Sequence, residues 1–163
     1  MHVVRVVATI ALLLFVASTG FAQSTGANVM SALGETIRRE MTAYQVIGTR
    51  DVIRVIDRKS GVEVLTVTEA GPQNVSITAS IGKYPGMTRD ARAIVAERIA
   101  LFNFSSLVGT LEFNERNGAI IMSHNLNPSA VSIKEMAHVA SLCIDVAREQ
   151  SRSMMQKSRS TIK

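Results

Sequence analysis

Tryptophan is absent from this chain of 163 residues, and cysteine occurs once. A single thiol excludes an internal disulfide framework and a zinc site built on several thiolates. Aromatic residues make up only 4%. Beyond the N-terminal segment discussed below they are Tyr44, Tyr84, Phe102, Phe104 and Phe113. Five scattered rings argue against a base-stacking platform and against a site that holds sugars on aromatic faces. Charged residues reach 19%, short of the roughly 25% of an average soluble domain.

Catalytic spacings are missing as well. No HExxH or HxxxH pair occurs, and His138 stands five residues before Cys143, off a shared helical face. There is no GxSxG elbow. Gly82-Lys83-Tyr84-Pro85-Gly86 carries two glycines and a lysine but lacks the GK[ST] ending of a phosphate loop, so it reads as a turn. Glu112 falls on a strand-like run and Glu115 in a turn, which does not pair them. We expect no catalytic set, no cofactor and no metal site. Cys143 lies on an apolar helical stripe and reads as a buried core thiol.

What is present begins with a leader. Met1–Arg5 supplies one positive charge, Val6–Ala17 is an apolar run, and Gly20 and Ala22 are small residues two apart. This is the pattern of a signal peptide, with cleavage expected after Ala22. The apolar run is about a dozen residues, whereas a spanning helix needs about 20. No cysteine stands near residue 22, which excludes a lipoprotein. The expectation is a periplasmic or secreted protein, with residues 23–152 as one domain and 153–163 as a basic tail.

The mature chain alternates in period. Val29–Tyr44 places Met30, Leu33, Ile37, Met41 and Tyr44 on one helical face. Val52–Asp57 and Val62–Thr68 are short β-branched runs. In 75–81, Val75, Ile77, Ala79 and Ile81 alternate with Ser76, Thr78 and Ser80, a strand with one wet face. Thr88 offers a cap to a second helix, whose stripe is Ala91, Ile94, Val95, Arg98, Ile99 and Phe102 and whose end is near Asn103. Leu107–Phe113 and Ala119–Leu126 flank Asn117-Gly118, the signal of a hairpin in which both turn residues take positive φ. Ser132-Ile133-Lys134-Glu135 is a capping box. It opens a third helix with the stripe Ile133, Met136, Ala137, Ala140, Cys143, Ile144 and Ala147. The expected fold is α+β, a two-layer sandwich in the order α-β-β-β-α-β-β-α over an antiparallel sheet.

The segment Asn103–Gln150 resembles the C-terminal half of YbjN-type proteins, which share the type III secretion chaperone-like fold. It consists of the asparagine that closes the second helix, the hairpin LVGTLEFNERNGAIIMSHNL and a capped amphipathic helix. With the preceding helix and meander, the likeness spans about residues 29–152. The resemblance implies a non-enzymatic protein-interaction domain, often dimeric, with no catalytic residues.

Charge placement agrees with that. Residues 23–147 hold twelve basic and twelve acidic groups, while 148–163 hold Arg148, Arg152, Lys157, Arg159 and Lys163 against Glu149. A neutral body and an export signal make nucleic acid an unsuitable partner. The tail reads as a solvated helix end that can touch anionic envelope surfaces. Apolar residues on both parities of the first two strands and of Ala119–Leu126 suggest a second apolar sheet face. That predicts a protein partner or a homodimer joined through residues 107–126, with Ile121, Met122, Leu111 and Phe113 as the contact residues. The competing reading is a small envelope hydrolase or ligand-binding protein whose site spacing does not reveal.

Overall fold

The computed structural model describes residues 26–71 and 73–160. The expected signal peptide lies outside the described residues. Among the described residues, three helices accompany six strands: α1 (Gly26–Glu40), β1 (Tyr44–Gly48), β2 (Val52–Asp57), β3 (Glu63–Glu69), β4 (Val75–Lys83), α2 (Arg89–Ser105), β5 (Thr110–Asn114), β6 (Ala119–Leu126) and α3 (Ile133–Ser160). The fold is α+β with a wholly antiparallel sheet, ordered β1-β2-β3-β4-β6-β5.

One strand more than expected is present. The first helix stops at Glu40, the Tyr44 N–H donates to the Met41 carbonyl at 3.0 Å, and Tyr44 begins β1. Thr49 then closes a tight turn: its N–H and hydroxyl both donate to the Val52 carbonyl, at 2.8 and 3.1 Å. Tyr44 is buried as expected, but from a strand. Its spacing of three from Met41 fits a helix and its spacing of two from Val46 fits a strand, so periodicity alone did not separate the two.

Burial follows strand parity. Ile53, Val55, Leu65, Val67, Ile77, Ala79, Ile120 and Met122 form one buried face. Met30, Leu33 and Ile37 of α1 and Met136, Ala140, Cys143 and Ile144 of α3 close over it. Across β3–β6 the opposite face is largely hydroxylated. Thr66, Thr78, Ser123 and Thr110 stand in register across four strands. On β6 this face carries Ile121, half-buried between Ser80 and Glu112. The second apolar sheet face expected from sequence is therefore polar over β3–β6, whereas on β1 and β2 it keeps Ile47, Val52 and Ile56, exposed or half-buried.

The capping box forms as expected: the Glu135 N–H donates to Ser132 Oγ at 3.3 Å, and the Ser132 N–H donates to Glu135 Oε2 at 2.9 Å. The Ser132 hydroxyl, donating to Glu135 Oε2 at 2.6 Å, and then the Ser132 N–H hold the Glu135 carboxyl below its ordinary pKa. The helix it opens runs to Ser160, and Met154 within it is buried, so the boundary expected at residue 152 falls inside α3. The exposed Arg148 of that helix reaches across the surface, 3.1 Å from Asp57 and over the Tyr44 ring at 5.3 Å. This ties α3 to the first hairpin and withdraws one charge from the basic end.

The β5–β6 turn differs from the expected two-residue form. Asn114 pairs with Ala119, so four residues make the loop, and the Gly118 N–H donates to the Asn114 carbonyl at 2.8 Å. Only Gly118 takes positive φ, at 69°; Asn117 does not. A four-residue loop needs the left-handed conformation only at its last position, and the Asn117 side chain instead accepts from the Ala119 N–H at 2.9 Å.

Candidate functional site

The second helix is the element that the core does not absorb. Its start is capped as sequence predicts: Thr88 is extended, its hydroxyl accepts from the Ala91 N–H at 3.2 Å, and Asp90 sits in the first turn. Its end comes two residues past Asn103. The Ser106 N–H donates to the Phe102 carbonyl at 2.7 Å, and the Ser105 hydroxyl donates to the Leu101 carbonyl at 2.9 Å, which satisfies carbonyls the helix leaves open.

No residue of α2 is fully buried. Ala91, Val95, Arg98, Ile99 and Phe102 are half-buried on the inner side. The Arg98 guanidinium reaches α3 and donates to the Ser153 carbonyl at 3.3 Å. The outer side carries Ile94, Leu101 and Phe104, and the strip continues to Leu107 beyond the helix; these are 46%, 62%, 93% and 96% exposed. Ala93, Ala96 and Ala100 stand exposed among them. Three large apolar side chains are thus exposed on α2, and a fourth, Leu107, two residues past its end, a concentration unlike singly scattered surface hydrophobes. Small alanines between them would let another helix approach closely.

The residues named from sequence do not make this surface. Leu111 and Met122 face each other across β5 and β6 and are 2% and 0% exposed, so the domain's own core encloses them. Phe113 shares their face and is half-buried; Ile121 points to the opposite face of the sheet. The four lie on one hairpin but form no common surface. Ile94, expected on the inner stripe, is turned outward. Leu101, Phe104 and Leu107 were not singled out, although Leu101 and Phe104 are large apolar residues off the stripe of an amphipathic helix, which was the available signal.

Chemistry is sparse among the described residues. No group of three or more histidine, cysteine, aspartate or glutamate side chains could hold a metal ion. No helix of the described residues is long and apolar enough to cross a membrane. Cys143 is buried against the sheet, and desolvation pushes its thiol up to about 11. Since the thiolate is the reactive form, iodoacetamide at mildly alkaline pH should leave Cys143 unmodified in the folded protein and alkylate it fully in denaturant. Equal labelling in both states, read by intact mass, would contradict its placement in the core.

No family model matches the sequence, and no curated protein is significantly similar to it. Solved structures do match. The chain is similar to the type III secretion chaperone SycH of Yersinia pestis, solved in complex with a stable fragment of YscM2. Identity there is 15% and the TM-score 0.51, over 73% of this chain and 96% of that one. It also matches a chain of the heterodimeric ExoU–SpcU complex from the type III secretion system of Pseudomonas aeruginosa. That identity is 12% and the TM-score 0.48, over 74% of this chain and 93% of the other. The likeness to SycH defines the architecture: a type III secretion chaperone-like fold.

Proposed function

We propose that this protein is an exported, non-enzymatic interaction domain of the bacterial periplasm, chaperone- or regulator-like, and that it self-associates through α2. The observation that carries the proposal is the uncovered apolar strip Ile94, Leu101, Phe104 and Leu107. Covering a fully exposed leucine or phenylalanine stabilises by about 1.5–3 kcal/mol, so leaving two of them almost bare favours any state in which a partner covers them. The SycH structure, solved holding a fragment of another protein, supports the same class of function. So does the YbjN-like order of asparagine, hairpin and capped helix. The leader at residues 1–22 supports export, and the basic end of α3 suits weak contact with anionic envelope surfaces.

The proposed contact surface thus moves from Leu111 and Met122, which are enclosed, to α2 and the residues that follow it. Phe113, on the strand that α2 flanks, and Ile121, on the open sheet face, are accessible enough to lie at its margin.

Two tests separate location from association. Expressed in a Gram-negative host, the protein should release with the periplasmic fraction and begin at Gln23; a cytoplasmic protein retaining Met1 would contradict export. Two differently tagged copies should co-purify, and Phe104→Glu should sharply reduce the yield of the second. Ile121→Glu should reduce it less. Undiminished co-purification by the Phe104 variant would contradict the α2 surface.

A further inference from the structure

The two outermost strands of the sheet are β1 and β5. An edge strand presents unpaired peptide groups to any passing chain, and proteins usually blunt it with lysine, proline, a bulge, or a helix or loop laid beside it. Thr110–Asn114 itself carries no lysine, proline or bulge, and α2 packs beside it. Its one charge, Glu112, lies on the open face and accepts from the Ser123 hydroxyl at 2.8 Å.

Something else occupies the edge. The Leu111 N–H donates to Asn103 Oδ1 at 2.6 Å, and Asn103 Nδ2 donates to the Leu111 carbonyl at 3.0 Å. One carboxamide thus supplies the acceptor and the donor that a neighbouring strand would supply. Both Leu111 peptide groups must point away from β6 to make these bonds. Strand alternation then directs the Phe113 N–H and carbonyl outward too.

That geometry makes β5 complementary to itself. About a two-fold axis at Glu112, Leu111 of one copy would stand opposite Phe113 of the other, twice over. Each such pair exchanges two backbone hydrogen bonds, giving four. Leu111 and Phe113 share the core-facing side, so pairing would also extend the apolar layer from one copy into the next.

We propose that Asn103 is the guard of this edge: by holding the Leu111 peptide groups, it keeps β5 from pairing with β5 of a second copy. Asparagine is suited to the position because its carboxamide both donates and accepts, which aspartate, serine and leucine cannot do with the same geometry. The guard acts on backbone pairing and does not rest on the α2 surface, which works through side chains.

The test uses the full mature chain carrying Leu101→Glu and Phe104→Glu, so that association through α2 is removed from the readout. Adding Asn103→Ala should raise self-association at least tenfold in sedimentation equilibrium. Adding Thr110→Lys, a charge on the exposed side of the same strand, should reverse the gain. A merely structural tie between α2 and the sheet would not be rescued by that lysine. Amide exchange gives a second reading that needs no asparagine variant: in the Leu101/Phe104 parent, the Phe113 amide should exchange at least tenfold faster than the Leu111 amide. No gain on Asn103→Ala, no reversal by Thr110→Lys, or equal protection of the two amides would each overturn the proposal.

Discussion

Gly118→Val should lower stability by about 2–5 kcal/mol. Two separate costs combine. At φ 69° an L-residue is disfavoured by roughly 1–2 kcal/mol. A β-carbon there would also fall on the Tyr84 carbonyl group, 2.6 Å from its carbon and 2.9 Å from the Pro85 nitrogen. Those are backbone atoms, held in place because the Tyr84 N–H donates to the Gly118 carbonyl at 2.8 Å. Relieving such an overlap costs about 1–3 kcal/mol. Gly61 provides the control. Its φ is 67°, but nothing lies within 4 Å of its β position. Gly61→Ala should therefore show the conformational cost alone, about 1–2 kcal/mol. Urea titrations of both variants would separate the costs. If Gly118→Val unfolds at the wild-type midpoint, the hairpin does not turn against the Tyr84–Pro85 loop.

The Gly118 position shows how far sequence could be read. An Asn-Gly step between apolar runs located the hairpin, because few residues reverse a chain so tightly. It did not fix the loop length, because Asn114 and Asn117 both offer side chains to nearby amides and only pairing with β6 selects between them. The same limit applies at Tyr44. Alternation in Val75–Ile81 was unambiguous and held, since a strand with hydroxyls on every second residue has one choice of face. In β6, by contrast, Ile120, Ile121 and Met122 are consecutive, and sequence alone could not show that Met122 is enclosed while Ile121 faces polar neighbours.

The α2 surface was the least legible feature, for a physical reason. An amphipathic stripe tells which side of a helix can be buried, not whether a core is there to receive it. The inner stripe of α2 reaches only half-burial because the helix lies beside β5 at the rim of the sheet, while α1 and α3 occupy the buried face. Leu101, Phe104 and Leu107 then acquire meaning from what fails to cover them.

Sedimentation equilibrium of residues 23–163, with and without Leu101→Glu and Phe104→Glu, tests that meaning most directly. Each replacement exchanges an apolar contribution of about 1.5–3 kcal/mol for a charge that must lose its water on association. With 1.4 kcal/mol per decade, the double variant should dissociate at least about a hundredfold more readily. Both positions are exposed in the single domain, so its thermal unfolding should be unchanged. The account predicts a dimeric wild type and a monomeric, equally stable double variant. A wild type that remains monomeric at high concentration, or a double variant that associates as tightly as the wild type, would contradict it.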